Sequence, residues 1–128
     1  MKTPYSLRPA ALLALALFAG SIAGLAQGPK FSGGYFKAND GTNDIGLEFD
    51  STGALTAYVG NQPFSRSSWE ARADTLTIGP VTGPEGYTCP GSARYLWSIA
   101  ENRLTLYVVT DDCQVRVQYF TGLVWTRG

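Results

Sequence analysis

Residues 94–109 constrain this chain more than any other stretch, because their side chains alternate through two runs separated by only Glu101 and Asn102. A two-residue turn at Glu101 and Asn102 predicts a β-hairpin in which Ile99 faces Leu104, Trp97 faces Leu106 and Tyr95 faces Val108. Side chains alternate between the two faces of a strand, so these six residues are expected on one apolar surface. The opposite surface carries Ser98, Arg103 and Thr105, which suit water, beside Leu96, Tyr107 and Val109, which do not. Cys89 precedes the hairpin and Cys113 follows it, and these are the chain's two cysteines.

The first residues read as a leader. Lys2 and Arg8 give a positive start, residues 10–19 are an unbroken apolar run, and Gly24 and Ala26 supply small residues for a peptidase. Cleavage is expected after Ala26, which leaves residues 27–128 as one exported β-barrel domain, in the periplasm or outside the cell. An uncleaved anchor is the alternative, since the apolar stretch approaches the ~18 residues of a membrane span. Gly20, Ser21 and Gly24 interrupt it, and no basic cluster follows.

Lys2 and Arg8 are the only charged residues in 1–26, so the remainder has eight Lys/Arg against ten Asp/Glu, a formal charge of −2. No strongly basic stretch points to phosphate neutralisation, so no nucleic-acid partner is expected, and no stable membrane insertion once the leader is gone. In an exported chain two cysteines are expected to pair. Closing a loop of 24 residues between Cys89 and Cys113 stabilises a fold by roughly 3 kcal/mol. A redox or metal pair is the alternative, without Cys-x-x-Cys spacing or histidine to support it.

Beyond residue 27 strand signals recur. A first strand is expected over residues 31–37 and a polar turn over 38–43. Ile45, Leu47 and Phe49 alternate with polar or small residues, Asp50 to Gly53 form a turn, and Leu55, Ala57 and Val59 answer before Gly60 to Pro63 end the strand. Trp69, six residues, then Leu76, Thr77 and Ile78 match Trp97, six residues, then Leu104, Thr105 and Leu106. The offset of 28 residues suggests two hairpins of one design, each setting a Trp against an aliphatic residue. Residues 79–91, with Pro80, Pro84 and Pro90, are an irregular loop. Cys113, Val115, Val117 and Tyr119 alternate as a further strand, and residues 123–127 form the last one.

The expected fold is all-β: an up-and-down meander of eight or nine short strands closing into a small barrel, with a two-sheet sandwich as the rival. Tyr95-x-Trp97, Leu104 to Leu106, Asp111-x-Cys113-x-x-Arg116 and Trp125 to Arg127 resemble the small exported bacterial lipocalin-like (calycin-type) barrels. Phe31-x-Gly33-x-Tyr35 looks like a relaxed form of the lipocalin first-strand signature, with Tyr35 where a Trp is expected. The resemblance implies an arginine stacked on a first-strand aromatic at one barrel end, a part for Arg116 or Arg127 against Tyr35 with Trp125 nearby. A second resemblance, to META/HslJ-type domains, rests on residues 47–53, 74–80 and Cys89-Pro90, and implies an envelope stress protein.

With no histidine, Ser-His and Cys-His nucleophilic systems and His-based metal sites are excluded. The carboxylates fall mostly in expected turns, and residues 40–44 lack the order of a calcium loop. The chain therefore reads as a non-enzymatic binding protein without cofactor or metal. Trp69, Tyr95, Trp97, Leu106, Val115, Val117 and Tyr119 are the expected interior, either a filled core or the lining of a pocket for a small hydrophobic ligand. The alternative is a secreted inhibitor of a protease or lysozyme, meeting its protein partner through the 79–91 loop.

Overall fold

The computed structural model describes residues 30–128. The leader expected at residues 1–26 lies outside the described residues. Eight strands follow one another as β1 (Gly34–Asn39), β2 (Asp44–Phe49), β3 (Ala54–Val59), β4 (Gln62–Arg72), β5 (Thr75–Ile78), β6 (Ala93–Ala100), β7 (Arg103–Thr110) and β8 (Trp125–Arg127). One helix, α1 (Gln114–Gly122), lies between β7 and β8. Each strand pairs antiparallel with the next, and β8 returns to β1 through Phe36 opposite Arg127 and Lys37 opposite Thr126. The sheet is thus a closed up-and-down barrel, and the sandwich alternative is excluded.

Local chemistry sets the turns. Asp40 Oδ1 accepts the N–H groups of Thr42 and Asn43 at 2.8 and 2.7 Å, bending the chain between β1 and β2. Asp50 Oδ1 does the same for Thr52 and Ala54 at 2.9 and 3.0 Å, while Gly53 takes φ +93°. Glu101 and Asn102 both have positive φ, at 53° and 65°, which matches the right-handed twist of a two-residue hairpin. The resulting register sets Ile99 opposite Leu104, Trp97 opposite Leu106 and Tyr95 opposite Val108, as the alternation predicts. The companion hairpin sets Trp69 opposite Ile78.

Three boundaries differ from expectation. The first strand starts at Gly34 and runs to Asn39, leaving Phe31 outside it. Pro63 does not end a strand but sits at the start of β4, next to a register shift at Ala57 and Tyr58, where a missing N–H is tolerated. The segment expected as a strand with Cys113, Val115, Val117 and Tyr119 on one face is instead α1. Helical spacing brings Arg116 and Phe120, four residues apart, into the interior. Eight strands also let the first and last meet antiparallel, whereas a ninth strand in an unbroken meander would make them parallel.

The meander divides the connections between two ends. The hairpin end holds the turns after β2, β4 and β6. There Phe31 is buried, with its ring 4.9 Å from Phe49, 5.4 Å from Trp69 and 5.5 Å from Trp97. The loop end holds the 79–92 connection and α1, joined by the Cys89–Cys113 disulfide. Between the ends the interior is packed by Phe36, Leu47, Leu76, Ile78, Leu104 and Leu106. Val108 shares the inner register but is 46 % exposed, because β8 covers only Arg103 and Leu104 of β7.

Candidate functional site

A cavity of about 80 Å³ remains at the loop end, between the β2–β4 wall and α1. Leu47, Leu55 and Ala57 form its strand side, Val81 its loop side, and Val115 and Phe120 its helix side. The walls are apolar because Ile45 and Leu47 of β2, and Leu55, Ala57 and Val59 of β3, stand at alternate, mutually paired positions and so share one face. Phe64 and Tyr87 stack edge to face at 4.9 Å, and Tyr119 lies beyond Tyr87, so aromatic rings line the loop side as well. Burial, the neighbouring Tyr87 and the Asp40 charge raise the Tyr119 phenol above its usual range, which keeps it a neutral hydrogen-bonding group.

A charged network adjoins this apolar space. Asp111 closes β7, and its Oδ1 accepts the Cys113 N–H at 2.9 Å just before α1 begins. Arg116, in the first turn, grips the same carboxylate with Nε at 2.8 Å and Nη2 at 2.9 Å. Its Nη2 also donates to the Gly91 carbonyl and its Nη1 to the Gly79 carbonyl, both at 3.1 Å. The Tyr95 hydroxyl donates to Asp111 Oδ2. The Arg116 side chain is 3 % exposed and that of Asp111 0 %, so this is a buried, fork-shaped ion pair. Burial pushes the Asp111 carboxyl up, but the Arg116, Tyr95 and Cys113 hydrogen bonds outweigh it and hold the group below the ordinary carboxylate range. Burial and the bond to Asp111 raise Tyr95 well above the usual phenol range. The network ties the strand end, the helix start and both ends of the 79–92 connection to one guanidinium.

The residues expected from sequence are distributed unevenly around this site. Val115, Tyr119, Arg116 and Trp125 line the cavity. Tyr95 and Leu106 are buried in the packed interior, with Tyr95 5.2 Å from the Phe120 ring. Trp69 and Trp97 lie at the hairpin end, their indole N–H groups donating to the Asp50 and Ala73 carbonyls at 2.9 and 3.3 Å. Val117 is half-buried on α1 and does not line the cavity.

The arginine–aromatic pair needs one correction. Arg127 stacks at 4.8 Å on the ring of Phe36, not Tyr35. Phe36 faces inward opposite Arg127, so Tyr35 must face outward, where it meets Tyr58 edge to face at 6.2 Å. A Cβ on Gly34 would stand 2.7 Å from Arg127 Nη1, so glycine there leaves room for the guanidinium. Arg116 takes no part in this stack and belongs to the opposite end. The cavity residues of β2 and β3, and Asp111 as the partner of Arg116, were not among the residues expected to form the site. Their only signal was the alternation of Ile45, Leu47 and Phe49, and the five-residue interval from Asp111 to Arg116.

No protein-family model, curated protein or solved structure matches the chain.

Proposed function

We propose that this is an exported, non-enzymatic binding protein that takes a small hydrophobic group into the cavity beneath α1. The observation that carries this reading is the cavity itself, about 80 Å³ of apolar-walled space beside a packed barrel core. A partly open, mostly apolar hollow with a few polar groups at its edge is the usual form of a small-molecule site, and its lining atoms have contacts left to make. An apolar cavity of ~150 Å³ accepts a benzene ring, so the space here takes roughly half of one, a short alkyl end or branch. The Cys89–Cys113 disulfide and the leader-like start support export. The Arg127–Phe36 stack supports the lipocalin resemblance, although its ring is one residue away from the one expected.

Trp125 lines the cavity and is fully buried, so its fluorescence reports on occupancy. Saturable quenching or enhancement by small hydrocarbons, together with a raised unfolding midpoint, is the expected result. Native mass spectrometry of protein from its own host should then retain a small apolar adduct. Neither a saturable signal nor an adduct would overturn the reading.

One observation favours a second reading, the protein inhibitor. The 79–91 loop is held rigid by the Val81–Cys89 and Arg66–Thr82 bridges and presents a half-exposed Tyr87. A preordered loop loses little entropy on binding a partner. Retention of a host protease or lysozyme on immobilised protein, abolished by Tyr87→Ala, would support it over the first.

A further inference from the structure

The lining of the cavity is apolar with one charged exception. Arg116 contributes to it while being 5 % exposed overall, deeper than Tyr87 or Tyr119. Of the other lining donors, the Tyr58 hydroxyl is spent on Glu48 at 2.7 Å and the Trp125 indole N–H on the Tyr119 carbonyl at 3.2 Å, which leaves the hydroxyls of Ser65, Ser67, Tyr87 and Tyr119. A guanidinium carries five N–H groups and accepts nothing. Four of the five are taken: Nε and one Nη2 hydrogen by Asp111, the other Nη2 hydrogen by Gly91, and one Nη1 hydrogen by Gly79. The second Nη1 hydrogen has no acceptor among the described residues. A buried donor left without a partner is costly, more so when it belongs to a charged group. Asp111 already offsets the charge of Arg116, so the site lacks a hydrogen-bond acceptor and not a negative charge. A carboxylate brought here would add an unbalanced charge to an apolar cavity, which burial strongly disfavours.

We propose that the ligand is a small neutral carbonyl compound, its oxygen accepting from the unpaired Nη1–H of Arg116 while its hydrocarbon part fills the cavity. This rests on the binding reading above and names the chemical class of the ligand. The donor is charge-assisted and held by three fixed partners, so it is oriented before the ligand arrives and strengthens as water leaves. Asp111 is the positioning residue. By holding Nε and Nη2 it leaves Nη1 as the only nitrogen with a free hydrogen.

Three probes of equal non-hydrogen size separate the possibilities in the unaltered protein: 2-methylbutane, 2-butanone and propanoate. The expected result is saturable binding of the hydrocarbon and the ketone, followed by Trp125 fluorescence, and none of propanoate at the same concentrations. With 13C-carbonyl 2-butanone, donation from the guanidinium should hold the bound resonance at or downfield of its position in water. The slowly exchanging Arg116 Nε–H should shift at the same time. A carbonyl resonance moved upfield, as in a cavity without a donor, would overturn this inference while leaving hydrophobic binding intact. So would failure of the ketone to bind where the hydrocarbon does, or propanoate binding as tightly as the ketone. If neither 2-methylbutane nor 2-butanone binds, the binding reading itself falls.

Discussion

Arg116 and Asp111 form a two-pronged ion pair at 2.8 and 2.9 Å in which both side chains are buried. The pair joins the end of β7 to the first turn of α1, and its remaining hydrogen bonds reach the Gly79 and Gly91 carbonyls. One salt bridge therefore sets the shape of the loop end and the polar corner of the cavity.

Removing one partner should cost far more than removing both. Arg116→Met leaves Asp111 charged and buried, and a loss of about 3–5 kcal/mol in urea-unfolding free energy is expected. Adding Asp111→Leu removes that orphaned charge and should recover part of the loss. Recovery will be incomplete, because the Gly79 and Gly91 carbonyls and the Tyr95 hydroxyl lose their partner too. Equal losses from the single and double variants would show that the charge itself matters little.

Acid should act through the same carboxylate. The folded state holds Asp111 below its ordinary range, so its contribution is fully present above the unfolded carboxylate value, about 3.9, and is lost as pH falls through the lower folded value. Asp111→Asn should be less stable than the parent at neutral pH, and the gap between them should narrow as pH drops below about 4. Urea midpoints of both proteins across that range test this. A gap that stays constant would mean the group does not titrate with folding.

The disulfide should stabilise the loop end locally as well as globally. Cys89→Ala with Cys113→Ala releases a closure of 24 residues, and a loss of roughly 3 kcal/mol is expected. Amide exchange should quicken most in α1 and at Val81 and Cys89, whose backbone groups pair with each other at 2.8 and 3.1 Å. Uniformly faster exchange across β1 to β8 would instead indicate a purely global effect.

The hairpin end should depend on Phe31 more than on Arg127. Phe31 is buried among Phe49, Trp69 and Trp97, and truncation to Ala should cost about 3–5 kcal/mol. Arg127 stacks on Phe36 from a solvent-exposed position, so Arg127→Ala should cost only ~0.5–1 kcal/mol. Thermal unfolding of the two variants would reverse this ranking if the arginine were the principal closure.

How far the fold could be read from sequence depends on how local its causes are. The hairpin from Ala93 to Thr110 follows from alternation and from a turn that Glu101 and Asn102 form by themselves, so its register is legible without the rest of the chain. The same holds for the Trp69–Ile78 pairing and for the Asp40 and Asp50 turns, where a side chain bonds backbone two to four residues away. The first strand was legible as a strand but not in phase. Gly33 and Gly34 take φ +85° and +122°, and whatever conformation they adopt decides whether Tyr35 or Phe36 turns inward.

The segment from Gln114 to Gly122 marks the limit. Its β-branched and aromatic residues alternate as a strand should, and propensity alone favours that reading. It is helical because Cys113 is bonded to Cys89, Arg116 finds Asp111 and two carbonyls far away in sequence, and Phe120 meets Tyr95. Sequence by itself determined the hairpins, their turns and the all-β class, since those depend on neighbours within a few residues, whereas the choice of barrel over sandwich needed the pairing of β1 with β8. Tertiary structure alone decided the helix, the partner of Arg127 and the cavity, because each depends on groups that only barrel closure brings within reach.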